Sequence, residues 1–150
     1  MIFRLVLIAL LIGATVSLPA KRKAKKERAK KINAIYVPRD IYDAHKELDK
    51  KTTEDYQSQI RNWKEKESVY KTKHSLGLVL RHDWELWNGS RLSAYFNSIG
   101  IFNPNDMSEI VIRSYHRYLN GQPLLIGDLV KEHIQKWEDL KGIDVKEDEN

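Results

Sequence analysis

Leu80-Arg81-His82-Asp83-Trp84-Glu85-Leu86-Trp87-Asn88-Gly89-Ser90-Arg91-Leu92 reads as one helix closing and the next one opening. Leu76, Val79, Leu80, Trp84 and Trp87 recur at helical spacing, which predicts a helix from about His74 to Trp87 with these side chains buried. Asn88-Gly89 can supply a left-handed termination, and Ser90 can accept from the first free amides of the following helix. That helix buries Leu92, Tyr95, Phe96 and Ile99 and stops at Gly100.

The same signals recur on both sides. Pro38-Arg39-Asp40 is a helix entry, followed by Ile41, Ala44 and Leu48 on one face. Thr52-x-x-Asp55 has the form of a capping box, and Tyr56, Ile60, Trp63 and Tyr70 behind it share a face of a single helix. Asn103-Pro104-Asn105-Asp106 places an N-cap, a first-turn proline and a third-position acid before Met107, Ile110, Val111, Ser114, Tyr115 and Tyr118. This element ends at Asn120-Gly121. A last helix is expected from about Asp128, through Leu129, Val130, Ile134, Trp137 and Leu140, to Gly142. No stretch alternates with a period of two, so the fold class is all-α. The short gaps predict a compact single-domain array of about five to six short helices over residues 35–142, with an acidic disordered tail at 143–150.

Residues 1–20 combine a charged start at Arg4, an apolar run from Leu5 to Leu18 and a small-residue end, the pattern of a signal peptide. A basic linker, 21–34, follows. The expected address is therefore periplasmic or secreted. The alternative is an uncleaved inner-membrane anchor whose block Lys21–Lys31 grips an anionic membrane surface.

The net charge of +5 belongs to that leader. Residues 1–31 hold nine positive side chains and one negative, whereas the remainder sets 17 positives against 20 negatives. A mildly acidic domain argues against nucleic acid as partner. There are no cysteines, which excludes disulfides, thiolate catalysis and cysteine-ligated zinc. An exported domain of this size must then be held by packing, or by a partner.

Gly77 to Leu92, Tyr95-Phe96, Ile99-Gly100-Ile101, Pro104 to Ser108 and Ser114 to Gly121 together resemble a bacterial family known only as a domain of unknown function, family 6794. Pro38-x-Asp40-Ile41 and Leu48-Asp49 fit the same pattern, so the resemblance covers roughly residues 36–125. Asp83 and Glu85 depart from it, standing where Asn or Gly is expected. The resemblance implies a small helical domain and no particular chemistry.

No catalytic signature is present. Lys131-Glu132-His133 has no second histidine in reach along its helix, and the five histidines are scattered, so no metal site and no cofactor are expected. Ser90 reads as an N-cap rather than a nucleophile. Asp83 and Glu85, two apart on a helix, point about 200° apart and cannot flank one glycosidic bond. Trp84 and Trp87 are core anchors or, as neighbours on a helix, a stacking platform. Arg113, His116 and Arg117 share a face expected to lie opposite most of the apolar stripe, while Arg81 and Arg91 flank the tryptophan turn. The binding residues expected are thus Arg81, Trp84, Trp87, Arg91, Arg113, His116 and Arg117. They suit a non-enzymatic module that takes a protein or envelope component. The alternative is a small enzyme acting on an anionic substrate with His116 as acid/base.

Overall fold

Four of the helices start where a short polar side chain occupies a free amide. The carboxylate of Asp40 accepts from the Asp43 amide at 2.8 Å and opens α1, Ile41–Lys51. Thr53, not Thr52, caps α2, Glu54–Asn62, by accepting from Tyr56. Thr52 instead donates to the Leu48 carbonyl at the end of α1. Ser90 caps α5, Arg91–Ser98, and the Asn103 side chain caps α6, Pro104–Leu119, at 2.8 Å. The remaining helices are α3, Glu65–Thr72, α4, Leu76–Asp83, and α7, Ile126–Glu147. This computed structural model describes residues 35–147, with side chains described as far as Lys141. The leader, the basic linker and the end of the acidic tail lie outside the described residues. Among the described residues there are seven helices and no strand.

The arrangement is built around α6, which packs against each of the other six helices. From Asp106 to His116 all but Glu109 are buried, so no face is left for solvent. Ile110, Val111 and Tyr115 are fully enclosed by Ile41, Ala44, Leu48, Ile60, Leu92 and Phe96 from the surrounding helices. The expectation that Arg113, His116 and Arg117 lie opposite the apolar stripe is corrected: α2, α3 and α7 cover that side of α6 as well.

Two helices are broken where continuous ones were expected. Trp63 and Lys64 are both extended, which divides the segment from Thr52 to Tyr70 into α2 and α3. Glu67 accepts from the Lys64 amide and restarts the chain. Tyr70 consequently points outward, 84% exposed. The helix expected to reach Trp87 stops at Asp83. Trp84 and Leu86 turn into the core, while Trp87 is 59% exposed. At the far end, α7 starts at Ile126 and continues through Gly142 to Glu147, past its expected stop.

Three helices end by the same geometry. The amide two residues past the C-cap reaches back to the carbonyl five residues earlier, as Leu86 to Arg81, Ile101 to Phe96 and Gln122 to Arg117. The intervening residue takes a left-handed conformation: Glu85 at φ 49°, Gly100 at 90° and Gly121 at 64°. Glycine suits that conformation and glutamate does not. Glu85 is one of the two positions where the family pattern leads one to expect Asn or Gly. Glu85→Gly should therefore raise unfolding stability by up to about 1 kcal/mol. Gly100→Ala should lower it by about 1–2 kcal/mol, because a φ of 90° strains any residue with a Cβ, which would also crowd Ile134 Cδ1 at 3.2 Å. Urea denaturation of the two variants beside the parent checks both signs.

Candidate functional site

Glu65, the first residue of α3, stands opposite Arg113 and Arg117, which are one turn apart on α6. Arg113 Nε donates to Glu65 Oε1 at 2.7 Å and its Nη2 to Glu132 Oε2 at 2.8 Å. Arg117 clasps the same carboxylate through Nε at 2.6 Å and Nη2 at 3.0 Å, and its Nη1 reaches the Leu124 carbonyl. Burial opposes the charge on both sides of this network. The arginine hydrogen bonds still hold the Glu65 carboxyl below its usual range, and Glu132 and Glu65 hold Arg113 above its own. His116 is buried, and its Nε2–H donates to the Trp63 carbonyl at 2.8 Å. Its Nδ1 is enclosed with no partner.

The other expected residues separate into inside and outside. Arg81 is buried, donating to Ser108 Oγ at 2.8 Å and to the Lys73 carbonyl at 3.2 Å. Trp84 is a core side chain whose indole N–H has no partner. Arg91 and Trp87 are exposed. Arg91 donates to the Val37 carbonyl and lies over the Tyr36 ring at 4.6 Å. The seven residues do not converge on one cleft: Arg113, His116 and Arg117 bind α3 and its approach, Arg81 ties α4 to α6, and Arg91 ties α5 to the segment before α1. Trp84 and Trp87 form no platform, since the helix that would have aligned them ends before both.

A polar seam absent from the sequence reading joins α1 to α6. Asp49 accepts from Tyr115 Oη at 3.0 Å and Tyr118 Oη at 2.7 Å. The two phenol rings stack at 5.9 Å beside His45. Ser114 spends its hydroxyl proton on the Val111 carbonyl, so His45 Nε2–H donates to Ser114 Oγ at 2.8 Å. The i, i+4 spacing of His45 and Asp49 was the available signal.

An apolar concavity lies elsewhere. A groove of about 490 Å³ runs between the α5–α6 connection and α7, lined by Gly100, Ile101, Phe102, Asp106, Ile134 and Trp137, with Glu138 and Lys141 at its rim. Phe102 is 71% exposed and Trp137 41%. Trp137 Nε1–H donates to Asp106 Oδ2 at 2.6 Å, which fixes the indole along the wall. Behind it, His133 on α7 faces Asp106 and Glu109 on α6. Burial works against charging His133, but Glu109, the Leu129 carbonyl and Asp106 outweigh it and raise its pKa.

Burial lowers the His45 pKa from about 6.5 to about 4, against a small opposing effect of Asp49. Its neutral form is therefore the folded one, and the unfolded chain binds the extra proton. Stability from His45 is complete above pH 6.5 and is lost as pH falls toward 4, by up to about 3 kcal/mol. A His45→Gln variant should flatten the loss of stability across that window, read from melting temperatures at a series of pH values. Truncating Glu65 to Ala should cost about 3 kcal/mol, because it removes the carboxylate that two enclosed guanidinium groups share. Arg91→Ala should cost less than about 1 kcal/mol. Urea titrations at neutral pH separate the pair.

A family model described as a domain of unknown function (DUF6794) matches residues 37–119, from the approach to α1 to the end of α6. No curated protein and no solved structure matches the chain.

Proposed function

Since the chain belongs to the DUF6794 family, whose description assigns no chemistry, we propose from its side chains that it is a non-catalytic binding module for an apolar segment of a partner protein. The observation that carries this reading is the groove beside α7, with Phe102 and Trp137 exposed along it. A bulky exposed aromatic pair over an apolar floor is the usual anchor of a protein interface. The rim offers both charges, Glu138 and Lys141, to fix the orientation of the bound segment. Gly100 and Ile101 expose no large side chain in the floor, so an incoming aliphatic or aromatic group fits beside Ile134.

The enzyme reading has less support. His116 lines none of the cavities described, and its Nε2 is committed to the Trp63 carbonyl. Arg113 and Arg117 serve Glu65 rather than a substrate anion. Of the binding surface expected from sequence, Trp87 and Arg91 remain open to a partner.

We place the module outside the cytoplasm on the strength of the leader sequence. Among the described residues no helix is long and apolar enough to cross a membrane, and the leader lies outside them. A photo-crosslinking side chain at Phe102, in the full chain expressed in its native host, should join one discrete protein, and Ile134→Glu should abolish the product. The same probe at Trp87 should join none. A product at Trp87 alone moves the interface to the turn before α5, and no product at either position overturns the module. The intact mass of the purified species should correspond to a chain beginning near Lys21; a full-length mass in the membrane fraction overturns export.

A further inference from the structure

We propose that Asp106, Glu109 and His133 form a binding site for a single divalent transition-metal ion with zinc-like ligand preference. One imidazole nitrogen and two carboxylate oxygens, one from each residue, lie within 4.8 Å of one another. His133 Nε2 is 3.5 Å from Glu109 Oε1 and 4.0 Å from Asp106 Oδ1. Three ligands around zinc at about 2.1 Å stand about 3.4 Å apart, so small side-chain movements close the set.

The orientation of each ligand is already fixed by what holds its other atom. His133 Nδ1–H donates to the Leu129 carbonyl at 2.8 Å, which turns Nε2 toward the carboxylates, where an ion would displace any proton it carries. Trp137 Nε1–H holds Asp106 Oδ2 and leaves Oδ1 turned toward His133. Such outer partners are the usual support of a metal-binding imidazole and carboxylate. His133 is 97% enclosed, yet its Nε2 stops short of a well-formed hydrogen bond.

The surrounding charges permit an ion. Arg113 lies 3.9 Å from Glu109 but is engaged by Glu65 and Glu132. Lys136 lies 3.9 Å from Asp106 on a side chain that is 57% exposed and free to swing away. A cavity of about 90 Å³, lined in part by Asp106, Glu109 and Lys136, leaves room for one or more water ligands. Bound there, the ion would clamp α6 to α7.

The test uses the full chain stripped with chelator and titrated with Zn²⁺ by calorimetry and with Co²⁺ by visible absorption. One ion per chain should bind, with Co²⁺ d–d bands. Glu109→Gln and His133→Gln should each weaken binding at least about tenfold, and Trp137→Phe by about tenfold. Lys136→Met should tighten it, and His74→Gln with His82→Gln should leave it unchanged. If a ligand variant fails to fold, the His133 imidazole ¹⁵N resonances of the parent chain decide the matter. A large Zn²⁺-induced shift at His133 Nε2 supports the site. No shift at saturating Zn²⁺, no saturable binding, or affinity in Glu109→Gln and His133→Gln equal to that of the parent overturns it.

Discussion

Enclosure of α6 on every side is the constraint from which the rest of this structure follows. A helix packed by six others has no solvent face on which to carry its polar residues. Yet the sequence from Asp106 to His116 includes Asp106, Ser108, Arg113, Ser114 and His116, all buried. Each must find a partner inside, because an unpaired buried polar group costs more than a hydrogen bond returns. The outer helices are accordingly spaced by what α6 requires. Arg81 on α4 reaches Ser108, His45 on α1 reaches Ser114, and Glu65 on α3 receives Arg113 and Arg117. Apolar packing supplies the bulk of the burial, and these pairings decide which face of each outer helix turns inward.

Capping chemistry was legible from residue identity. Asp40, Ser90 and Asn103 open helices because their side chains reach free amides, and Gly100 and Gly121 close them because a left-handed residue is needed there. The breaks at Trp63-Lys64 and at Glu85 were not legible. Neither contains glycine or proline, and the hydrophobic period runs through both. Trp84 and Trp87 illustrate the consequence: the same spacing that buries two residues on one continuous helix buries only the first once the chain turns.

The candidate sites were less legible than the fold for a related reason. Arginines on one face of a helix look the same in sequence whether they meet a ligand or a glutamate 48 or 52 residues away. Asp106 read correctly as an acid in a first turn, but nothing local announces that it also meets His133 and Trp137 from α7. The groove at Phe102 depends on how α7 lies along the preceding loop, a tertiary relation with no periodic trace.

The interruption between α2 and α3 has a bearing on how the chain assembles. Were the segment one continuous helix, the Trp63 carbonyl would be consumed by an intrahelical bond, and Glu65 would leave the helix at another angle. The extended pair Trp63-Lys64 instead frees that carbonyl for His116 and aims Glu65 at the two arginines. Beyond the local bond from the Lys64 amide to Glu67, what holds it comes from partners about 50 residues further along, so its conformation depends on loop closure. The corner at Trp63-Lys64 is thus a tertiary feature, held in shape by α6 rather than dictated by its own sequence.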